Sequence, residues 1–326
     1  MSKYFALDIG TSSTKISDRS SKKYIIEPTI AVVDRDSSRL IAFGNEALEI
    51  INKTPGKVKI VRPIRHGQIE DLSLASEIVA YLLKKAGYSK LGRSYVLSST
   101  YGDATKVQRR AMERSLKEAG IKETRFLEST IAAAIDLGLP IGEPMGNMVV
   151  ILGAGCIEAA VMSLGSVVSS TSLGIGAEDI DNNLKNYFIK RYGINTSTLL
   201  FSRIREQLLR KSEDVESHVI SGHDIQTGAA ASVEVLTSEL WPIVDEVLSQ
   251  IVDGVISVIT STPPDLTNDL CQSGIYILGG LAKLDGLGSM LANGTDLPIH
   301  ICKNPEMRVV SGLKHSLNDF SHMSKV

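Results

Sequence analysis

A strand that runs into a glycine turn opens each half of this 326-residue chain. Leu7-Asp8-Ile9-Gly10 opens the first half and Val150-Ile151-Leu152-Gly153 opens the second. Asp8 to Ile151 and Gly10 to Gly153 share one offset of 143 residues. A repeat of that length is a whole strand–turn–strand unit with room for its own helices. It predicts two related α/β lobes with a cleft between them. With 43% hydrophobic and 22% charged residues, such a chain can bury its cores without disulfide or metal staples. Cys156, Cys271 and Cys302 are odd in number and far apart, and no CxxC occurs. A disulfide framework or zinc site is therefore not expected, and a reducing compartment fits.

The formal net charge of −2 argues against a generic polyanion binder, and no nucleic-acid partner is expected. The total conceals a division. Residues 1–140 carry 23 Lys+Arg and 16 Asp+Glu; residues 141–326 carry 12 and 21. The first half is +7 and the second −9. The N-terminus has no signal-peptide pattern, and no stretch reaches 18 uninterrupted apolar residues, so a cytoplasmic location is expected.

Periodicity and punctuation predict strands at Tyr4–Ile9, 24–33, 39–43, Tyr95–Ser99, Phe126–Leu127, Met148–Leu152, Ile157–Leu164, Val167–Leu173, Ile275–Leu278 and Ile299–Cys302. Helices are predicted at Gly44–Asn52, Leu72–Ala86, Asp103–Ala119, Ser129–Leu137, Ile180–Tyr192, Leu199–Lys211, Val233–Ile259 and Leu284–Asn293, with Gly87, Gly120 and Gly138 as stops. Pro242 should kink or split the long helix. Trp241-Pro242 reads as core packing, and the final ten or so residues as frayed. The six histidines form no ligand spacing.

Three glycine turns carry the chemistry. Asp8-Ile-Gly-Thr-Ser-Ser-Thr14 offers backbone N–H groups and hydroxyls suited to a phosphate, with one carboxylate suited to hydrated Mg²⁺. Gly153-Ala-Gly155 allows a second close backbone approach. Gly279-Gly280 follows the strand Ile275–Leu278. No P-loop occurs. Gly153-Ala-Gly155-Cys-Ile-Glu158 has Glu in place of a third Gly and leads into a strand, so a Rossmann dinucleotide site is excluded.

In this order and wording the chain resembles the actin/Hsp70/sugar-kinase ATPases, and within them the MreB family of bacterial actin homologues. Asp8-Ile-Gly-Thr11, Lys53-Thr-Pro-Gly56, Ile60–Ile64, Gly67–Asp71, Gly146–Val150, Glu158–Ser170, Gly176, Asn186–Gly193, Pro263–Leu266 and Gly274–Gly280 carry the resemblance, which covers almost the whole chain. It implies an α/β, actin-like two-lobed ATPase fold of two RNase H-like subdomains with smaller inserted subdomains. Lobe I would span 1–140, with core 1–26 and 66–140 and an insert at about 27–65. Lobe II would span 141–326, with core 141–178 and 236–312, an insert at about 179–235 and a tail at 313–326.

The resemblance implies that Asp8 holds Mg²⁺ through water, that Gly10, Thr11, Ser12, Gly153, Ala154 and Gly155 hold ATP phosphates, and that Gly279, Gly280 and Arg205 hold adenosine. Departures from the family pattern are as informative. The family's water-positioning Glu falls at Ser129 and its second metal-linked Asp at Ile151. Glu128 is one residue away, but neighbours on a helix point about 100° apart. Cys156 and Ile157 replace hydroxyl residues, Ala154 and Leu281 replace glycines, and Ser202 stands near a usual Glu. Slow or lost hydrolysis with retained ATP binding is expected: at most a slow ATPase. The implied role is a cell-shape filament on the inner membrane face, assembling with itself or a paralogous MreB and near wall-synthesis membrane proteins. The alternatives are a non-hydrolysing scaffold co-assembling with an active MreB, or an active ATPase or phosphotransferase.

Two basic stretches bear on partners. Lys84, Lys85, Lys90 and Arg93 flank Tyr88 and Leu91 with no acid in 84–93, which gives a candidate membrane contact at Tyr88, Lys90, Leu91 and Arg93. Lys53, Lys57, Lys59, Arg62 and Arg65 read either as solvated surface, with Arg62 at a subdomain junction, or as a longitudinal filament contact.

Overall fold

A computed structural model describes residues 2–51, 58–88, 93–209, 217–284 and 286–322. The first half runs β1 (Lys3–Ile9), β2 (Ser13–Asp18), β3 (Ile25–Pro28), β4 (Ala31–Asp34), β5 (Leu40–Phe43), α1 (Asn45–Ile51), β6 (Val58–Val61), β7 (Ile64–Arg65), β8 (Gln68–Ile69), α2 (Leu72–Lys85), β9 (Ser94–Thr100), α3 (Lys106–Glu118), β10 (Glu123–Glu128) and α4 (Ser129–Asp136). Gly87, Gly120 and Gly138 take positive φ just past α2, α3 and α4, as their helix-stopping role requires. Helix α3 starts three residues later than expected, because Thr105 and Gln108 form a capping box.

The second half runs β11 (Asn147–Leu152), β12 (Ile157–Ser163), β13 (Ser166–Leu173), α5 (Ala177–Tyr192), β14 (Ile194–Asn195), α6 (Thr198–Leu209), β15 (Ser217–Asp224), β16 (Ala230–Leu236), α7 (Thr237–Ser261), α8 (Pro264–Ser273), β17 (Ile275–Leu278), α9 (Leu287–Thr295), β18 (Ile299–Ile301) and α10 (Arg308–Ser316).

The repeat read from the sequence is a repeat in space. One five-stranded sheet has the order β10-β9-β1-β2-β3 and the other β18-β17-β11-β12-β13. In each, the opening strand pairs antiparallel with its hairpin partner and parallel with a later strand. Registers correspond as well. Ile9 faces Thr14 and Leu152 faces Ile157; Asp8 faces Lys15 and Ile151 faces Glu158. Smaller sheets β5-β4-β6 and β14-β15-β16 branch from the first and second halves.

Helices α4 and α10 pack together between the sheets. A Cβ at Gly312 would strike the Ala132 carbonyl, so only glycine permits this approach. Their core takes Ala6 and Leu97 from the first sheet, Val149, Ile151 and Leu278 from the second, and Val310, Leu313, Leu317 and Phe320 from the C-terminal segment.

Four expectations are corrected. The last residues are not frayed through 322: Leu317–His322 is 3₁₀-helical, and Leu317 and Phe320 are buried. Phe320 stacks edge-on to Tyr4 and Tyr95 while its carbonyl accepts from Arg125, so burial overrides the polar composition. Residues 233–236 end strand β16 instead of starting a helix, because Val233 and Val235 pair with Ile220 and His218. Helix α7 is not split at Pro242; its buried stripe Leu240, Val244, Val247, Leu248, Ile251, Val255 and Val258 holds it as one element. Trp241 and Pro242 lie on its exposed side, not in the core.

Candidate functional site

The two hairpin turns meet at the cleft. Gly10 N–H donates to the Ser13 carbonyl at 3.2 Å, and Gly153 N–H to the Cys156 carbonyl at 3.1 Å. A Cβ at Gly10 would sit 2.9 Å from that Ser13 oxygen, and one at Gly153 2.5 Å from that of Cys156. Each position therefore requires glycine. Gly279 closes the third side with φ +93°, where a Cβ would strike the Leu152 carbonyl oxygen, whereas Gly280 has open space around it.

Together these turns line one cavity of about 330 Å³, within the range of small-molecule sites. Asp8, Gly10, Thr11, Ser12, Gly153, Ala154, Gly155, Arg205, Gly279 and Gly280 all contribute to its wall. Every residue predicted to bind nucleotide thus lies at one cleft. Ser129 and Ile151 line it too. Glu128 does not; with Asp103 it lines a smaller pocket, and Glu158 reaches both.

Some of these groups already have partners. Thr11 is buried, and its hydroxyl accepts from Gly67 N–H at 3.2 Å. Ala154 contributes its carbonyl to Glu178 N–H at 2.8 Å, anchoring the second turn on the start of α5. Arg205 is fixed by Asp181, with Nε to Oδ1 at 2.7 Å, and Ser202 donates to the other oxygen of Asp181 at 2.6 Å. Leu281, which stands where the resemblance has a glycine, lines the cleft and packs into the core of the second half, 2% exposed.

The cleft also holds ionisable groups that sequence reasoning passed over. Lys15 is 7% exposed and donates from Nζ to Asp8 Oδ2 at 3.1 Å, while Ser99 donates to Asp8 Oδ1 at 2.9 Å. Glu158, pseudo-equivalent to Lys15, is 6% exposed. Burial, reinforced by Asp8, Asp103 and Glu128, drives its carboxyl far above the ordinary range; a hydrogen bond with Ser129 only partly offsets this. Ser129 has one proton and also faces the Thr100 carbonyl at 3.2 Å. A protonated Glu158 satisfies all three groups, donating to Ser129 while Ser129 donates to Thr100. Glu206 and Glu306 line the cleft as well. Burial opposes the charge of Glu306, but Lys283, its own backbone N–H and Lys15 outweigh it and hold the carboxyl below the usual range. Burial pushes the Cys156 thiol up to about 12, so it is no nucleophile. The signal for Lys15 and Glu158 was their place in the 143-residue repeat, seven residues after Asp8 and Ile151.

The glycine cradle fits a nucleotide; the metal position fits less well. Asp8 has both oxygens occupied by protein donors, and Ile151 packs among apolar side chains. Among the described residues no three His, Cys, Asp or Glu side chains converge on a metal position.

The halves touch across the cleft. A Cβ at Gly155 would lie 2.7 Å from Thr11 Oγ1 and 2.9 Å from His66 N. Arg62 Nη1 lies 3.0 Å from Glu178 Oε1, an ion pair without hydrogen-bond alignment. At the candidate membrane contact, Tyr88 donates to the Gly120 carbonyl at 2.8 Å and Arg93 is exposed. Lys85 is drawn off to Glu27. Lys90 and Leu91, like Lys53 and Lys57, lie outside the described residues. No described helix is long and apolar enough to cross a membrane.

This geometry has known counterparts. The MreB/Mbl protein family profile matches residues 2–325. The cell shape-determining protein Mbl of Bacillus cereus is 28% identical over 98% of this chain and 97% of its own length. The cell shape-determining protein MreB of Escherichia coli is 29% identical over 94% and 91%. MreB5 of Spiroplasma citri bound to ADP superposes with a TM-score of 0.89 at 24% identity, covering 98% and 97% of the two chains. The MamK double helical filament gives 0.81 at 16%, covering 98% and 99%. At those identities the two structures establish a shared actin-like fold. With a family match along nearly its whole length and the repeated hairpin turns built into one cleft, the chain belongs to the MreB/Mbl family.

Proposed function

We propose that this protein is a filament-forming, cell-shape-determining cytoskeletal protein that binds ATP in the cleft and hydrolyses it slowly or not at all. The observation that carries the binding half is the convergence of Gly10, Gly153 and Gly279, each fixed as glycine by contact, on one cavity. Gly10–Ser12 and Gly153–Gly155 would receive phosphates, and Gly279, Gly280 and Arg205 the adenosine. Support comes from S. citri MreB5, solved bound to ADP and to AMPPNP.

The hydrolytic half rests on Ser129. It faces the cleft where the resemblance calls for a Glu, and burial biases its neighbour Glu158 towards the protonated form. A neutral carboxyl cannot accept a proton from water. Mg²⁺ enters this reading as the ion that accompanies ATP in solution. Asp8, the residue expected to hold it through water, would have to share its carboxylate with Lys15.

We divide the chain as lobe I (1–140) and lobe II (141–326). The sheet β5-β4-β6 falls in the insert at about 27–65, and β14-β15-β16 in that at about 179–235. The C-terminal tail from 313 docks on lobe I through Phe320. The basic surface at Lys84 and Arg93, with Lys90 and Leu91 between them in the sequence, would face the inner membrane. Leu91→Glu should lower pelleting with anionic liposomes, and unchanged pelleting would remove that contact.

A second reading, a non-hydrolysing scaffold that co-assembles with an active MreB, is favoured by the same Ser129 and Ile151. Sedimentation with ATP, ADP and no nucleotide separates the two. ATP-dependent pelleting of the protein alone supports the first. Pelleting only with an active MreB supports the second.

A further inference from the structure

The phosphate end of the cleft carries a cation of its own. Lys15 lies on β2 directly across from Asp8 on β1, and paired antiparallel residues project to the same face. That face opens on the cleft beside the Gly10–Ser13 turn. Lysine is almost never this buried unless paired. Here the strand register, not a flexible loop, fixes the ammonium 3.1 Å from Asp8. The second half offers no matching pair, since the residue across from Glu158 is the apolar Ile151. A hydrated divalent ion approaching Asp8 would find its oxygens taken by Lys15 and Ser99 and would meet a like charge beside them. A polyphosphate meets the opposite: a desolvated ammonium with three donors, backed by the N–H groups of the turn.

We propose that Lys15 is the resident counter-cation of this cleft, taking phosphate charge that would otherwise need a divalent metal, so that ATP binds without Mg²⁺. This rests on the reading that the cleft binds ATP. Asp8 then acts as a positioning residue, holding the ammonium in place while the cleft is empty and sharing it with a phosphate when ATP enters.

The test is ATP affinity by calorimetry on the full chain, once with excess Mg²⁺ and once with excess EDTA. For the wild type the two dissociation constants should differ by less than about fivefold. Lys15→Met should weaken binding in EDTA by about tenfold or more, and Lys15→Arg should retain it. Should Lys15→Met leave Asp8 unpaired and fail to fold, the double variant Asp8→Asn/Lys15→Met removes both charges and should show the same loss in EDTA. A larger EDTA effect on the wild type overturns the proposal. So does wild-type affinity in EDTA for Lys15→Met or the double variant. A wild type that binds ATP with Mg²⁺ but not with EDTA defeats the counter-cation alone, whereas no binding under either condition defeats the nucleotide reading as well.

Discussion

Glu158 and Lys15 occupy equivalent places in the two hairpins and meet opposite fates: burial opposes the charge of one, while the other is paired with Asp8. The sign of the first has a measurable consequence. Its folded-state pKa lies above the unfolded value, so its contribution to stability is full below the ordinary glutamate range and is lost as pH rises towards the raised value. Glu158→Gln should therefore remove a downward slope in melting temperature across that window and melt higher than wild type at its alkaline end. Parallel slopes would show that Glu158 is not held neutral. Gly279→Ala should cost roughly 1–3 kcal/mol in denaturant titration, since alanine at φ +93° is strained and its Cβ meets the Leu152 carbonyl. Residues acting through backbone shape were legible beforehand, because a glycine that ends a strand marks a turn too tight for a side chain. Lys15 was not, because a charge within a strand reads as solvent-facing until the register shows what it opposes.

At the scale of elements, most strands and helices follow from periodicity and glycine stops. Two of the exceptions share a cause: tertiary burial of polar-looking sequence. Ser217–Asp224 and Ala230–Leu236 alternate weakly and form a hairpin whose buried side is only His218, Ile220 and Val235. The C-terminal segment looks soluble, yet Leu317 and Phe320 fill the space between α10 and the first sheet. Phe320→Ala should cost about 3–5 kcal/mol by chemical denaturation, as for other buried Phe truncations. A change under about 1 kcal/mol would mean that the segment detaches freely. Hydrogen exchange should find Leu313 and Leu317 protected with β1 and β9, the strands α10 packs on.

For the whole molecule, the basic first half and acidic second half meet within the chain. Arg62 and Glu178 join them across the cleft, with side chains 25% and 16% exposed. Arg62→Ala should speed nucleotide release severalfold in a stopped-flow chase, while the fold melts within about 1 kcal/mol of wild type because the pair is partly solvated. Unchanged release would take the pair out of cleft closure. The two-lobed plan was visible in a single offset of 143 residues, since a duplicated hairpin repeats its backbone demands. The charge state inside the cleft was not, because burial and register exist only once the lobes are packed. A filament that holds ATP without turning it over is defined by how slowly it gives up phosphate. Single-turnover phosphate release from ATP-assembled, pelleted protein reads that rate. Release should be at least about tenfold slower than from Escherichia coli MreB assayed alongside; release at an equal rate would contradict a cleft that binds ATP but does not hydrolyse it.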